Sequence, residues 1–253
     1  MNSNQRMKLA WVTGAGKGIG RAVALRLSAK GWALAVSART REDLESLKGE
    51  AAGDVHIYPL DVTDAEATAK AVAAIEREVG EIGLAVLNAG THQEEKATAF
   101  SVENTRKLME VNFFGAVHGL APLIERFVSR KRGHIAVVAS LAGYRGLPSA
   151  AAYGASKAAL INLCESLRPE LEAAGVNLSM INPGFVETPL TDKNEFDMPF
   201  LIPADKAAEA IVRGLEARRF EITTPKRFAF IMKLLRVLPD PLFFALTRRM
   251  IGS

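Results

Sequence analysis

The chain is predicted to be an α/β protein: a single doubly wound parallel β-sheet with helices on both faces, followed by a C-terminal amphipathic helical extension. Three features lead there. Short apolar runs rich in β-branched residues alternate with longer segments of helical period. The first of these runs leads into a glycine-rich turn. A chain of 253 residues, 49% apolar and 24% charged, can bury one continuous core and is not composed like a disordered one.

The first strand is expected at Leu9 to Thr13, followed by a helix with Ile19, Val23 and Leu27 on one face and a second strand at Ala33 to Ser37. Val55 to Leu60 reads as the third strand. A helix carrying Val72, Ile75 and Val79 then leads to a fourth strand at Leu84 to Asn88. A long helix spans about Ser101 to Arg130, followed by a strand at Ile135 to Ser140, a helix from about Ala151 to Ala174 and a strand at Val176 to Ile181. Helices between successive strands force parallel pairing with right-handed crossovers, and ligands of such sheets sit beyond the carboxyl ends of the strands. Glu187 to Pro203 contains Pro189, Pro199 and Pro203 and reads as a loop or lid before a helix starting near Ala204. Residues 1–224 are expected to form one domain, and 225–253 a basic amphipathic extension.

At the first strand end, Thr13-Gly14-Ala15-Gly16-Lys17-Gly18-Ile19-Gly20 opens directly onto a helix. Glycines let the backbone turn sharply and approach a pyrophosphate, and a helix N-terminus offers N–H groups and a positive dipole. The spacing departs from G-x-G-x-x-G, because Ile19 takes the place of the last glycine; a plain tight turn fits the loop taken alone. The second strand ends Ser37-Ala38-Arg39, without the carboxylate that would hold a ribose 2′-hydroxyl. Arg39 instead suits a 2′-phosphate, with Lys17 as a second cation, so NADP(H) is expected in preference to NAD(H).

Tyr153 and Lys157 lie four residues apart on a predicted helix, hence on one face. A phenol of ordinary pKa about 10 is a poor base near neutrality, and an ammonium beside it is expected to favour the phenolate. Ser140 ends a strand and so faces the ligand edge, where its hydroxyl can donate to a substrate oxygen that gains negative charge.

Thr13-Gly14-x-x-x-Gly18-x-Gly20, Asp61-Val62, Asn88-Ala89-Gly90, Asn112, Ser140, Tyr153-x-x-x-Lys157 and Pro183-Gly184 stand in an order and at spacings that resemble the short-chain dehydrogenase/reductase family, from about Leu9 to Leu190. The resemblance implies a Rossmann-like fold and hydride transfer between nicotinamide and a carbonyl or secondary alcohol, with Tyr153 as general acid/base. It also implies that Lys157 holds the nicotinamide ribose and that Asn112 supports a proton relay to that lysine. Asp61 and Val62 resemble the adenine contacts, Asn88, Ala89 and Gly90 the wall beside the cofactor, and Pro183, Gly184, Val186 and Thr188 the carboxamide side. A non-catalytic dinucleotide sensor and a membrane-surface scaffold remain the other classes of reading.

The substrate pocket is expected from Leu141, Tyr144, Arg145, Leu147, Phe185 and Leu190, with Phe196, Met198 and Phe200 in the lid, which suits a hydrophobic carbonyl or alcohol. His92 is a further candidate for the lining. Cys164 reads as a small core or interface residue, and the four histidines show no metal-ligand spacing, so no metal is expected. The family resemblance also implies self-association as a dimer or tetramer, through the helices around Leu108 and Leu163.

The net charge of +4 resides in the tail. From Arg218 to Ser253 there are eight Lys or Arg and two Asp or Glu, a balance of +6 that leaves −2 for the rest. No basic, aromatic-interleaved groove suggests nucleic acid. The tail stripe Phe228, Ile231, Leu235 and Leu238, with Lys226, Lys233 and Arg236 largely opposite, can pack on the domain, a partner subunit or the pocket mouth, lie on an anionic membrane surface, or be a loosely ordered extension. One cysteine, a polar start and no run near the roughly 18 apolar residues of a membrane span suggest a cytoplasmic protein, peripheral to the membrane at most.

Overall fold

The computed structural model describes residues 8–193 and 197–250. Seven parallel strands form one sheet in the order β3-β2-β1-β4-β5-β6-β9. They are β1 (Leu9–Thr13), β2 (Ala33–Ser37), β3 (Val55–Ile57), β4 (Ile82–Leu87), β5 (His134–Val138), β6 (Asn177–Pro183) and β9 (Glu221–Thr224). A separate two-residue pair joins β7 (Val186–Glu187) to β8 (Ile202–Pro203). The strand order reverses at β1, between β2 and β4, and that switch point opens a crevice beyond the strand ends.

The strands are apolar along both faces because helices cover both. In β1, Leu9 and Trp11 point into one core while Ala10 and Val12 point into the other, the two-residue period of a strand. The second core is roofed by α1 (Gly18–Ala29), α2 (Arg41–Glu50) and α7 (Ala204–Glu216), which contribute Val23, Leu27, Leu44, Leu47, Ile211 and Leu215. The first is closed by α3 (Ala65–Glu78), α5 (Gly115–Ser129) and α6 (Ala151–Ala173), through Ile75, Leu123, Phe127, Leu160 and Ile161. Each such side chain, fully buried, contributes about 1.5–3 kcal/mol of transfer free energy. The tail helix α8 (Lys226–Val237) adds Ala229 and Met232 to this same core.

Two expectations need correction. The long helix is divided into α4 (Val102–Met109) and α5 by a π-helical turn at Glu110–Phe114, whose buried residue is Asn112. The seventh strand, β9, was not expected; its register against Met180–Pro183 is supplied by β6.

Candidate active site

The end of β1 is bound to the end of β4. Thr13 Oγ1 accepts from the Asn88 and Ala89 amides at 3.0 and 3.2 Å, and Asn88 Nδ2 donates to the Thr13 and Gly14 carbonyls at 3.1 and 3.2 Å. Gly14 and Gly18 adopt φ of +63° and +57°, a region that disfavours side chains. A methyl on Gly20 would collide with Asn88 Nδ2 and the Gly14 carbonyl, and one on Gly18 would lie 3.0 Å from Thr188 Cγ2. The loop is thus a cradle floored by backbone, with Thr188 from the far side of the crevice at its rim. Helix α1 begins at Gly18 with no side-chain cap from Lys17 and no acidic residue in its first turn. Its N-terminus is therefore suited to an anion, and the cradle fits a dinucleotide pyrophosphate. Ile19 packs partly into the second core.

At the end of β2, Arg39 is exposed and its charge helps hold the Asp61 carboxyl below the usual carboxylate range; the Thr63 amide, which donates to Asp61 Oδ1, is the larger cause. Lys17 pairs with Asp43 at 3.3 Å, so it is not an unpaired second cation, whereas Arg39 stands at the rim. Ser37, at the strand end where cofactor contacts are expected, turns its side chain inward. Its hydroxyl is buried and accepts the indole N–H of Trp11 at 3.0 Å, which leaves its backbone to face the loop through the Ala15 N–H to Ser37 carbonyl bond. Val62 is buried beneath Gly115, and its carbonyl lies 2.9 Å from His118 Nδ1.

Ser140, Tyr153, Lys157 and Asn112 converge beyond β4 and β5. The Ser140 side chain is hydrogen-bonded to that of Tyr153, while Ser140 Oγ accepts the Ala142 amide at 3.1 Å and lies 3.4 Å from the Pro183 carbonyl. Lys157 is buried, its Nζ donating to the Val138 carbonyl at 2.9 Å and standing 5.9 Å from the centre of the Tyr153 ring. Asn112 accepts the Thr91 amide at 2.7 Å and donates to the Thr91 carbonyl and to Ser156 Oγ, both at 3.0 Å. A methyl on Gly90 would lie 3.2 Å from Asn112 Oδ1 and 3.4 Å from Lys157 Nζ, so Gly90 is the wall between them. The π-turn makes this arrangement: it turns Asn112 toward the loop after β4 and fixes that loop to α6.

The electrostatics correct one expectation. Burial is the main influence on Tyr153 and pushes its phenol up, with the Ser140 hydrogen bond pulling the other way. The lysine is the group brought nearer neutrality, because burial lowers its pKa from 10.5 to about 8. At neutral pH the site therefore holds a protonated phenol hydrogen-bonded to a serine, with a mostly protonated amine one helical turn away. That arrangement can give a proton to a developing alkoxide. His92 stands edge-on to Tyr153, ring centres 4.6 Å apart at 76°; its Nδ1 is buried without a hydrogen-bond partner, and burial holds its pKa below the usual histidine value.

On the substrate side, Leu141 is buried with Cδ1 3.3 Å from where a methyl on Gly184 would lie, and Leu147 packs partly against the first core. Phe185 stacks on Phe228 at 5.4 Å between ring centres, and Phe200 on Phe228 at 5.9 Å. Phe228 also fills the space over Gly184, where any Cβ would clash with its ring. Leu190 and Met198 are partly buried; Phe196 lies outside the described residues. Tyr144 and Arg145 do not line a pocket. Tyr144 is buried and donates its hydroxyl to Glu221, which also pairs with Lys233, and the Tyr144 oxygen accepts from Asn182 Nδ2 at 3.2 Å. Arg145 turns to the tail. It donates to the Leu235 and Leu238 carbonyls at 2.9 and 2.5 Å and pairs with Asp240 at 2.5 Å, and its guanidinium lies 3.9 Å over the ring of Phe243.

A family model described as short chain dehydrogenase matches residues 8–198, well over half of the chain. The chain belongs to the short-chain dehydrogenase/reductase family. It is 40% identical over 246 residues to an uncharacterized oxidoreductase of Myxococcus xanthus, covering 96% of this chain and 97% of that one. A second uncharacterized oxidoreductase, from Staphylococcus epidermidis, is 32% identical over 208 residues, covering 82% and 90%. Among solved structures, a short chain dehydrogenase/reductase from Burkholderia phymatum in complex with NAD aligns with a TM-score of 0.82 at 26% identity, covering 90% of this chain and 92% of that one. An alcohol dehydrogenase from the archaeon Thermococcus sibiricus complexed with 5-hydroxy-NADP aligns with a TM-score of 0.77 at 26% identity, covering 86% and 96%.

As a short-chain dehydrogenase/reductase the protein is an oxidoreductase on a single parallel sheet flanked by helices. Glu221 carries no signal in the sequence, because it enters on a strand whose partner is distant; Phe228, on a tail stripe that can pack at the pocket mouth, stands over Gly184. Cys164 is buried with its thiol pushed up to about 12 by burial, which suits a core residue and not a nucleophile. Among the described residues, no cluster of His, Cys, Asp and Glu could hold a metal ion.

Proposed function

We propose that the protein is an NADP(H)-dependent oxidoreductase, working chiefly as a reductase of hydrophobic carbonyl compounds, with Tyr153 as its acid/base. The observation that carries this reading is the junction of Tyr153, Ser140, Lys157 and Asn112 at the strand ends, next to a backbone cradle for pyrophosphate. When bound, the nicotinamide supplies or accepts the hydride. The protein's own residues do the rest. Ser140 and Tyr153 hold the substrate oxygen by hydrogen bonds, so that charge developing there is met by donors already in position. Tyr153, protonated at neutral pH because burial raises it, gives its proton to that oxygen. Lys157, held by Val138 and facing Gly90, would hold the nicotinamide ribose and keeps its charge one helical turn from the phenolate left behind. Asn112 is a positioning residue, fixing the Thr91 loop against Ser156 of the tyrosine's own helix.

Arg39 at the rim, with no carboxylate at the end of β2, supports NADP(H) over NAD(H). Asp61, Val62, Asn88, Ala89 and Gly90 would flank the adenine half and the ribose, and Pro183, Gly184, Val186 and Thr188 the carboxamide. Leu141, Leu147, Phe185, Leu190, Phe200 and Phe228 supply an apolar lining with no cation aimed into it from Arg145, which supports a hydrophobic ketone, aldehyde or secondary alcohol. Residues 1–224 form the catalytic unit, and 225–253 an extension whose helix α8 completes the aromatic wall. Self-association would use Val102, Phe114 and Val128, which are exposed on α4, the π-turn and α5; Leu108 is buried inside the chain and Leu163 packs partly on its core.

The test is turnover of NADPH and of NADH with a panel of hydrophobic and of charged carbonyls. Oxidation of NADPH by the hydrophobic set with formation of the alcohol is expected. Binding of dinucleotide with no turnover by any carbonyl or alcohol would reject the enzymatic reading.

A further inference from the structure

Helix α8 is apolar on two opposite faces. Its inner face places Phe228, Ala229, Met232 and Leu235 against the domain. Its outer pole carries Phe230, 72% exposed, Leu234, 54%, and Val237, 74%, at the i, i+4, i+7 spacing of one stripe. Ile231, on the same sequence stripe as Phe228, Leu235 and Leu238, is 40% exposed and flanks this outer stripe. The outer pole of a surface helix is ordinarily polar. After the Pro239 corner, α9 (Asp240–Arg248) buries Phe243 and Thr247 and exposes Leu242 and Leu246, with Met250 exposed beyond it. Two successive helices thus leave large apolar side chains uncovered on the same tail.

The charges beside this face are mostly cationic, and Lys233 among them is paired with Glu221. Lys226, Arg227, Lys233 and Arg236 border the α8 stripe, and Arg248 and Arg249 end α9. The acidic residues of the tail region are both engaged, Glu221 by Tyr144 and Lys233 and Asp240 by Arg145. The exposed side of each tail helix is therefore apolar with cations beside it.

We propose that the outer face of α8 and α9 seats the protein on an anionic lipid bilayer. The apolar pole lies at the boundary between headgroups and acyl chains, and the Lys and Arg margin meets the anionic headgroups. No helix among the described residues is long and apolar enough to cross a membrane, so the contact is peripheral. Charge decides between this surface and a second copy of the chain. A two-fold contact is self-complementary, so burying this face against itself would bring one cationic margin onto another. The face is also held rigidly, because Arg145 fastens the end of α8 and the start of α9 to the loop after Ser140. The bilayer would then lie across α8 from the Phe185, Phe228 and Phe200 stack. Membrane binding itself does not depend on the carbonyl-reductase reading.

The experiment is flotation of the full chain with vesicles of phosphatidylcholine alone and of equimolar phosphatidylcholine and phosphatidylglycerol. Two variants accompany it: Phe230→Ser with Leu234→Ser and Val237→Ser, and Arg227→Glu with Arg248→Glu. Circular dichroism and thermal melting verify their folding, and sedimentation velocity gives the oligomeric state of each. The native chain is expected to float with the anionic vesicles and not the neutral ones, to be released by salt, and to lose most of its binding in either variant while solution turnover persists. The proposal is overturned if the native chain ignores anionic vesicles, binds neutral ones equally, or keeps its binding in both folded variants. It is equally overturned if the native chain ignores vesicles and the serine variant breaks up an oligomer, which would make the face a subunit interface.

Discussion

Lys157→Met is expected to make the protein more stable and less active, and the gain in stability should vanish with rising pH. Lys157 is 4% exposed, and burial lowers its pKa from 10.5 to about 8. At about 1.4 kcal/mol per pKa unit, keeping the amine charged at neutral pH costs the fold roughly 3 kcal/mol. Methionine fills similar volume without that charge but leaves the Val138 carbonyl, which accepts from Nζ at 2.9 Å, without its donor, a loss of about 1–2 kcal/mol. The net gain is about 1–2 kcal/mol, or a melting temperature higher by roughly 2–8 °C for a chain of this size. The sign with pH follows from the depressed folded pKa. The native protein carries the full penalty below about pH 8 and recovers it as pH rises toward 10.5, where the unfolded lysine also loses its proton. Thermal unfolding of both proteins at pH 7 and pH 10 (about the two ends of this window) tests it. A variant less stable than native at pH 7, or a difference that does not shrink at the higher pH, would refute the reasoning.

Arg39→Ala should weaken NADPH binding by roughly tenfold or more, the loss of a charge-assisted phosphate contact, with little change for NADH; equal loss for both cofactors in titration calorimetry would reject the 2′-phosphate role. Phe228→Ala removes the middle ring of the Phe185, Phe228 and Phe200 stack and opens space over Gly184, so kcat/KM should shift toward bulkier carbonyls; an unchanged ranking across a substrate series would remove Phe228 from the pocket. In the reductive direction, kcat/KM for the dinucleotide should fall as pH rises through about 8, where Lys157 loses its charge, and a profile flat to pH 10 (about the ordinary lysine value) would contradict that assignment.

The parallel sheet was legible because its strands are buried on both faces, which leaves uninterrupted apolar runs such as Leu9 to Val12 and Ile135 to Val138. The cluster of Ser140, Tyr153 and Lys157 was legible from order and spacing, since the first ends a strand and the other two share a helix face. Glu221–Thr224 was not: four half-polar residues become a strand through pairing with Met180–Pro183, a tertiary fact. Tyr144 and Arg145 adjoin Ser140 in sequence and were expected at the substrate, but Glu221 and the carbonyls ending α8 draw them to the tail. The Tyr153 phenol is another case. A spacing of four residues suggests an ammonium beside it, yet Lys157 spends a hydrogen bond on Val138, and burial sets the direction. The π-turn that aims Asn112 at Thr91 likewise has no periodic signature.

The most direct test of the account is the single-turnover rate of hydride transfer from bound NADPH to a hydrophobic carbonyl, measured in the native protein and in Tyr153→Phe with cofactor affinity determined in parallel. The variant is expected to bind NADPH normally and to transfer more slowly by roughly two or more orders of magnitude, the range of a lost general acid. Equal transfer rates in the two proteins would contradict it.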